Sequence, residues 1–293
     1  MALPGLAPSS IDWRIDAALG ILATGAAIAL LLRFRERPLV FAIAAALLEI
    51  GLLIAARGLV RPLVPAGLLM SGGVAWLRSF LVILLPLGAG IALLSWRGWW
   101  TSSGFTPPSQ WRRWRLLWLV GLWLLVPALS LTRGIHVHGG TLILAAVYLI
   151  LATGLEELFY RGIVLRAAIG KGLLPAVLIS SILFGASHVN NLFTSVSIPP
   201  AYVLDQAWQA ALVGIFLAAV RLRMNAIWPT MAAHAAYDLF PLIVYWAYAS
   251  RYQPTVAGFW LSTGFGAVFA AIGLFLLRGY GAASSPPRSM RLA

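Results

Sequence analysis

Apolar runs recur along this chain at roughly the length needed to cross a bilayer. A spanning helix needs ~17–25 predominantly apolar residues. Runs near that length occur at about 15–32, 38–56, 79–96, 116–132, 141–158, 172–190, 205–220, 226–249 and 257–277. Hydrophobic residues make up 61% of the sequence, against ~45–50% in a soluble domain, so lipid is the solvent for most of the chain. The expected fold is all-α, a polytopic transmembrane helical bundle of about eight or nine spans. The stretch 62–76 is apolar but broken by Pro and Gly, and reads as a re-entrant or interfacial piece.

A net charge of +13 would suggest nucleic acid in a soluble protein. Here most of the 21 basic residues fall in short loops on one side, where arginine orients helices. The bias predicts an integral, multi-pass membrane protein with its N-terminus outside and its C-terminus cytoplasmic. No nucleic-acid partner is expected. Segment 98–115 is rich in Trp and Arg and reads as an interfacial anchor. Asp12, Arg14 and Asp16 stand before and at the start of the first run, which is not the basic start of a signal peptide. With no cysteine, disulfides, thiolate metal sites and cysteine nucleophiles are excluded.

Against this background the segment 154–162, GLEELFYRG, stands out. The chain has eight acids in 293 residues, and two of them, Glu156 and Glu157, adjoin at the end of an apolar run. A charge inside a bilayer costs at least ~2.5–3.5 kcal/mol, which makes such a residue a functional hypothesis by default. Arg161 lies four residues after Glu157 and can reach back to it on a helix. Glu157–Arg161 therefore reads as a structural ion pair, and Glu156, about 100° round the helix, as the available base.

Two further polar groups follow at depth. His188 comes four residues after Phe184, and His234 four before Asp238, each pair on one helical face. With a turn near Lys171–Gly172, Glu156 and His188 each lie ~23–25 Å from it at 1.5 Å per residue. An antiparallel hairpin brings them level, provided the first helix runs straight from about 141 to 170. Pro229 is placed to loosen the helix carrying His234. Glu49, alone in the second run, reads as the partner of an arginine, and Asp205 with Gln206 as an N-cap. His136 and His138 read as loop residues.

Taken in order, E-E-x-x-x-R (Glu156, Glu157, Arg161), F-x-x-x-H (Phe184, His188) and H-x-x-x-D (His234, Asp238) resemble the CPBP intramembrane proteases. That family includes the type II CAAX prenyl endopeptidases and bacterial proteins of bacteriocin processing and self-immunity. The resemblance covers roughly 141–250. It implies a catalytic four-helix core there; the N-terminal helices (1–140), of unassigned role, and the last span (251–280) lie outside it, and the small, polar, Pro-containing tail (281–293) reads as disordered. It further implies that Glu156 and His188 activate water, while His234 and Asp238 stabilise the oxyanion. An ionised Asp cannot donate a hydrogen bond, so Asp238 would be protonated, orient His234, or ligate a metal.

The implied activity is endoproteolysis of a peptide or membrane-protein substrate, with membrane lipid as the surroundings. No cofactor is favoured. Zinc on Glu156, His188, His234 and Asp238 is the alternative, although no H-E-x-x-H is present. A Ser187–His234 dyad matches only the first half of G-x-S-x-G. Rival readings from other classes are a proton-coupled transporter, whose Glu and His relay protons, and a catalytically idle membrane immunity or scaffold protein.

Overall fold

The computed structural model describes residues 12–63, 72–106, 115–193, 199–245 and 255–278. Among them every regular element is helical: α1 (Trp13–Arg33), α2 (Pro38–Val60), α3 (Gly72–Arg97), α4 (Leu117–Leu129), α5 (Gly139–Glu157), a π-helical turn (Leu158–Val164), α6 (Leu165–Ala168), α7 (Leu173–His188), α8 (Pro200–Met224), α9 (Trp228–Tyr245) and α10 (Val256–Leu277). Seven helical stretches among the described residues are long and apolar enough to cross a membrane, and Leu117–Arg133 is a shorter apolar one. The protein is a polytopic helical bundle. Within the described residues, all nine expected runs fall on helices. The runs over α4 and α9 do not count among the seven, the first for its length and the second because His234, Asp238 and two prolines interrupt its apolar face. The expected disordered tail lies outside the described residues, as does most of 62–76.

Small residues set how closely the helices approach. A Cβ on Gly20 would stand 2.2 Å from the Ala55 nitrogen, and one on Gly58 would stand 2.4 Å from that of Ala17. The α1–α2 hairpin is therefore a backbone-to-backbone contact of the kind that drives helix association in lipid. Gly185 meets Ala207 and Ala211 of α8 in the same way, and Gly273 meets the α8 backbone at Ile215 and Phe216. Gly20→Leu is expected to lower stability by ~1–3 kcal/mol through overpacking. Gly25→Leu on the same helix, where a Cβ meets nothing within 4 Å, should be neutral. Unfolding midpoints in mixed micelles compare the two directly.

The motif helix is not α-helical throughout. The helical stretch Gly139–Lys171 widens into the π turn immediately after Glu157. A π turn displaces carbonyls from the regular ladder, and these are met from outside. Ser180 Oγ donates to Tyr160 O at 2.7 Å and Ser103 Oγ to Gly162 O at 3.2 Å. Gly172, at φ 104°, then reverses the chain into α7, where the turn was expected.

The first part of segment 98–115 also departs from a purely interfacial anchor. Ser102 and Ser103 are buried, and Arg221 of α8 donates to Ser102 O at 2.5 Å. Residues 98–106 thus brace the π turn against α8; 107–114 lie outside the described residues. Asp205 is not an N-cap, because α8 begins at Pro200. Its carboxylate instead accepts from Gln209 and from Ser262 of α10. Pro229 occupies the second position of α9, where proline costs little, and the proline inside that helix is Pro241.

Candidate active site

Four elements converge: the end of α5, the π turn, the end of α7 and the middle of α9. Glu157 is wholly buried and anchors the group. Its Oε1 lies 3.0 Å from Arg161 Nη1 and accepts a hydrogen bond from His234 Nδ1, also at 3.0 Å. The expected Glu157–Arg161 pair is present. The sequence reading missed the second half of the arrangement, in which Glu157 also fixes the ring of His234. Arg161 is fully buried too, and its guanidinium lies over the Phe184 ring with Cζ 3.9 Å from the centroid, a cation–π contact.

With Nδ1 committed to Glu157, His234 presents Nε2 to the remaining acids. Glu156 Oε2 is 3.6 Å away and Asp238 Oδ2 is 3.8 Å away. Both distances are too long for a direct hydrogen bond and short enough for one water to bridge. These two carboxylates are open where Glu157 is closed: side-chain exposure is 29% at Glu156 and 41% at Asp238, against 0% at Glu157. The paired glutamates therefore differ, one paired in the interior and the other partly exposed.

His188 joins the group through Phe184 rather than through a carboxylate. Its Nδ1 donates to the Phe184 carbonyl at 2.9 Å, which leaves Nε2 as the nitrogen free for chemistry. The Phe184 ring meets both imidazoles edge to face, with centroids 4.8 Å from His188 and 5.7 Å from His234. It acts as a spacer between them. Ser187 spends its hydroxyl proton on Phe184 O at 2.7 Å. His136 and His138 are exposed at the loop before α5.

Residues 138–240 match the Rce1-like family model. Its description is type II CAAX prenyl endopeptidase Rce1-like. The Rce1-like segment runs from just before α5 to just past Asp238 and contains Glu156, Glu157, Arg161, Phe184, His188, His234 and Asp238. It supports a CAAX-protease-like intramembrane endopeptidase, a membrane hydrolase acting on peptide. No curated protein and no solved structure matches the chain.

One functional neighbour reaches the Rce1-like segment from outside it. Tyr160, on the π turn, donates its hydroxyl to Glu49 Oε2 of α2 at 2.5 Å, with both side chains buried. Glu49 thus pairs with a phenol and not with an arginine. The solitary acid in an apolar run was the available signal, but its partner lies 111 residues away. Tyr160 packs on Phe184, ring centroids 5.3 Å apart, so this bond also steadies the spacer between the histidines. Tyr160→Phe would strand a buried carboxyl and is expected to cost ~1–3 kcal/mol. Glu49→Gln, which keeps an acceptor, should cost less. Unfolding midpoints of the two variants test that order.

Proposed function

We propose that the protein hydrolyses a peptide bond within the membrane, with Glu156 as general base. The observation that carries this reading is the approach of two partly exposed carboxylates, Glu156 at 3.6 Å and Asp238 at 3.8 Å, to His234 Nε2, backed by the buried Glu157–Arg161 pair. A water held there would give a proton to Glu156 as its oxygen attacks the scissile carbonyl carbon. The carbonyl oxygen becomes an oxyanion, for which His234 Nε2–H is the donor at hand. The Glu157 carboxylate on Nδ1 orients that imidazole and offsets positive charge on it, so Asp238 is not needed as the orienting group. Glu156 then returns the proton to the departing amine, leaving a carboxylic acid and an amine. His188, turned by its bond to Phe184 O, offers a second nitrogen to the water or the carbonyl.

A zinc reading places Glu156, His188, His234 and Asp238 around one ion. Among the described residues no group of three or more His, Asp and Glu side chains is disposed to hold a metal. The residues as arranged do not fit that set, and no step here is routed through it.

The test is comparative proteomics of membranes carrying wild type or Glu156→Ala. A peptide or membrane protein that accumulates uncut in the variant supports hydrolysis. Identical membrane proteomes, with proton-coupled flux lost in the variant, would show a transporter; identical proteomes and unchanged flux would show an idle scaffold.

A further inference from the structure

Two arginines that hydrolysis does not use stand at one end of an apolar groove. Arg97 ends α3 and Arg166 lies in α6. Both guanidiniums sit over the indole of Trp99, with Cζ 4.8 and 5.1 Å from its centroid, and they repel one another. Arg166 is only 7% exposed, and the Nε of each arginine is buried with no hydrogen-bond partner. The acid that faces them is Glu36, 3.8 Å from Arg97 Nη1, too far for a hydrogen bond. Glu36 is 76% exposed and lies nearer to Arg35, at 3.5 Å. Arginines that only orient helices need no such enclosure; Arg37, in the loop before α2, is exposed. Two enclosed like charges with donors unmade are unfavourable until an anion joins them.

The groove indicates which anion. α1 and α3 both pack against α2, and a cavity of about 290 Å³ lies between them. Leu48 and Leu52 of α2 form its floor, with Ile28 and Leu32 of α1 and Ala92 and Trp96 of α3 as its walls. Ile28, Leu32 and Trp96 are exposed, so the groove opens sideways, toward the hydrocarbon that surrounds spanning helices. From Thr24 to Leu32 it follows α1 for ~12 Å, which fits within one leaflet of a ~30 Å core. Its outer end is Trp96, and Arg97 Cζ stands 5.6 Å from the centroid of that ring. An apolar channel that faces lipid and ends in two guanidiniums matches a molecule with a hydrocarbon tail and an anionic head. A phosphodiester offers oxygens to both forks, and basic pockets between spanning helices take lipid headgroups. A free phosphate would leave the groove unused.

We propose that Arg97 and Arg166 hold the phosphate of an anionic phospholipid whose acyl chain lies in the groove between α1, α2 and α3. The site is independent of the hydrolase reading, and its test reads bound lipid and not cleavage. Full-length protein, delipidated in neutral detergent, is titrated with phosphatidylglycerol or with phosphatidylcholine of the same chains, and bound lipid is counted by native mass spectrometry. Phosphatidylglycerol is expected to be retained about tenfold or more over phosphatidylcholine. Arg97→Gln and Arg166→Gln should each remove most of that preference. Arg166→Lys should recover part of it, which a merely misfolded variant would not. Arg37→Gln, the same change of charge at an exposed arginine of the same end, should leave it intact. Ala92→Trp, which fills the groove and keeps both arginines, should lower phosphatidylglycerol retention severalfold. Equal retention of the two lipids, or a preference that survives both glutamine changes, would overturn the site. A preference lost equally in Arg37→Gln would overturn it too, reducing it to diffuse attraction. Retention unmoved by Ala92→Trp, or displacement of lipid by equimolar inorganic phosphate, would count against the acyl groove and sink the proposal as stated.

Discussion

Glu156→Gln is expected to lower peptide cleavage by ~10²–10⁴-fold and to leave the unfolding midpoint in mixed micelles unchanged. The carboxylate approaches His234 only at 3.6 Å and its side chain is 29% exposed, so the amide disturbs no packed contact. What it removes is the ability to take a proton from water. A variant that retained more than a tenth of wild-type turnover would transfer the role of base elsewhere, with Asp238 the nearest alternative at 3.8 Å from the same imidazole nitrogen.

Its immediate neighbour should behave in the opposite way. Glu157→Ala is expected to cost ~3–5 kcal/mol of stability, because it leaves Arg161 as a buried charge without its counter-ion. Activity is lost with it, since His234 Nδ1 no longer has the acceptor now 3.0 Å away. A double variant separates the two effects. Glu157→Leu with Arg161→Met removes both charges together and should recover most of the stability. It should stay inactive, because nothing then orients His234. Full turnover in that stable double variant would show that Glu157 is a packing residue only.

The sequence made the scaffold of this site legible and left its wiring hidden. Apolar run length located nine of the ten described α-helices, all but the four-residue α6, because bilayer thickness leaves a spanning segment little freedom. The four-residue spacings of Glu157 and Arg161, Phe184 and His188, and His234 and Asp238 each predicted a shared face. The cross-helix bonds were not legible, since nothing local to Glu157 indicates that it holds His234 from 77 residues away. Glu49 misled for the same reason: an arginine is the commoner partner of a buried acid, and only the fold brings Tyr160 to it. The π turn was hidden as well. The hydroxyls that meet its carbonyls, those of Ser103 and Ser180, come from other parts of the chain.

The Glu49–Tyr160 bond ties the Rce1-like stretch to a hairpin that precedes it by most of a hundred residues. A fragment cut down to 138–240 would keep every reacting group and lose the acceptor for its phenol, together with the wall against which the π turn is packed. Such an excised core should be a poor enzyme for want of scaffolding. Grafting it into an unrelated helical host should succeed only where that host supplies a carboxyl from a neighbouring rod.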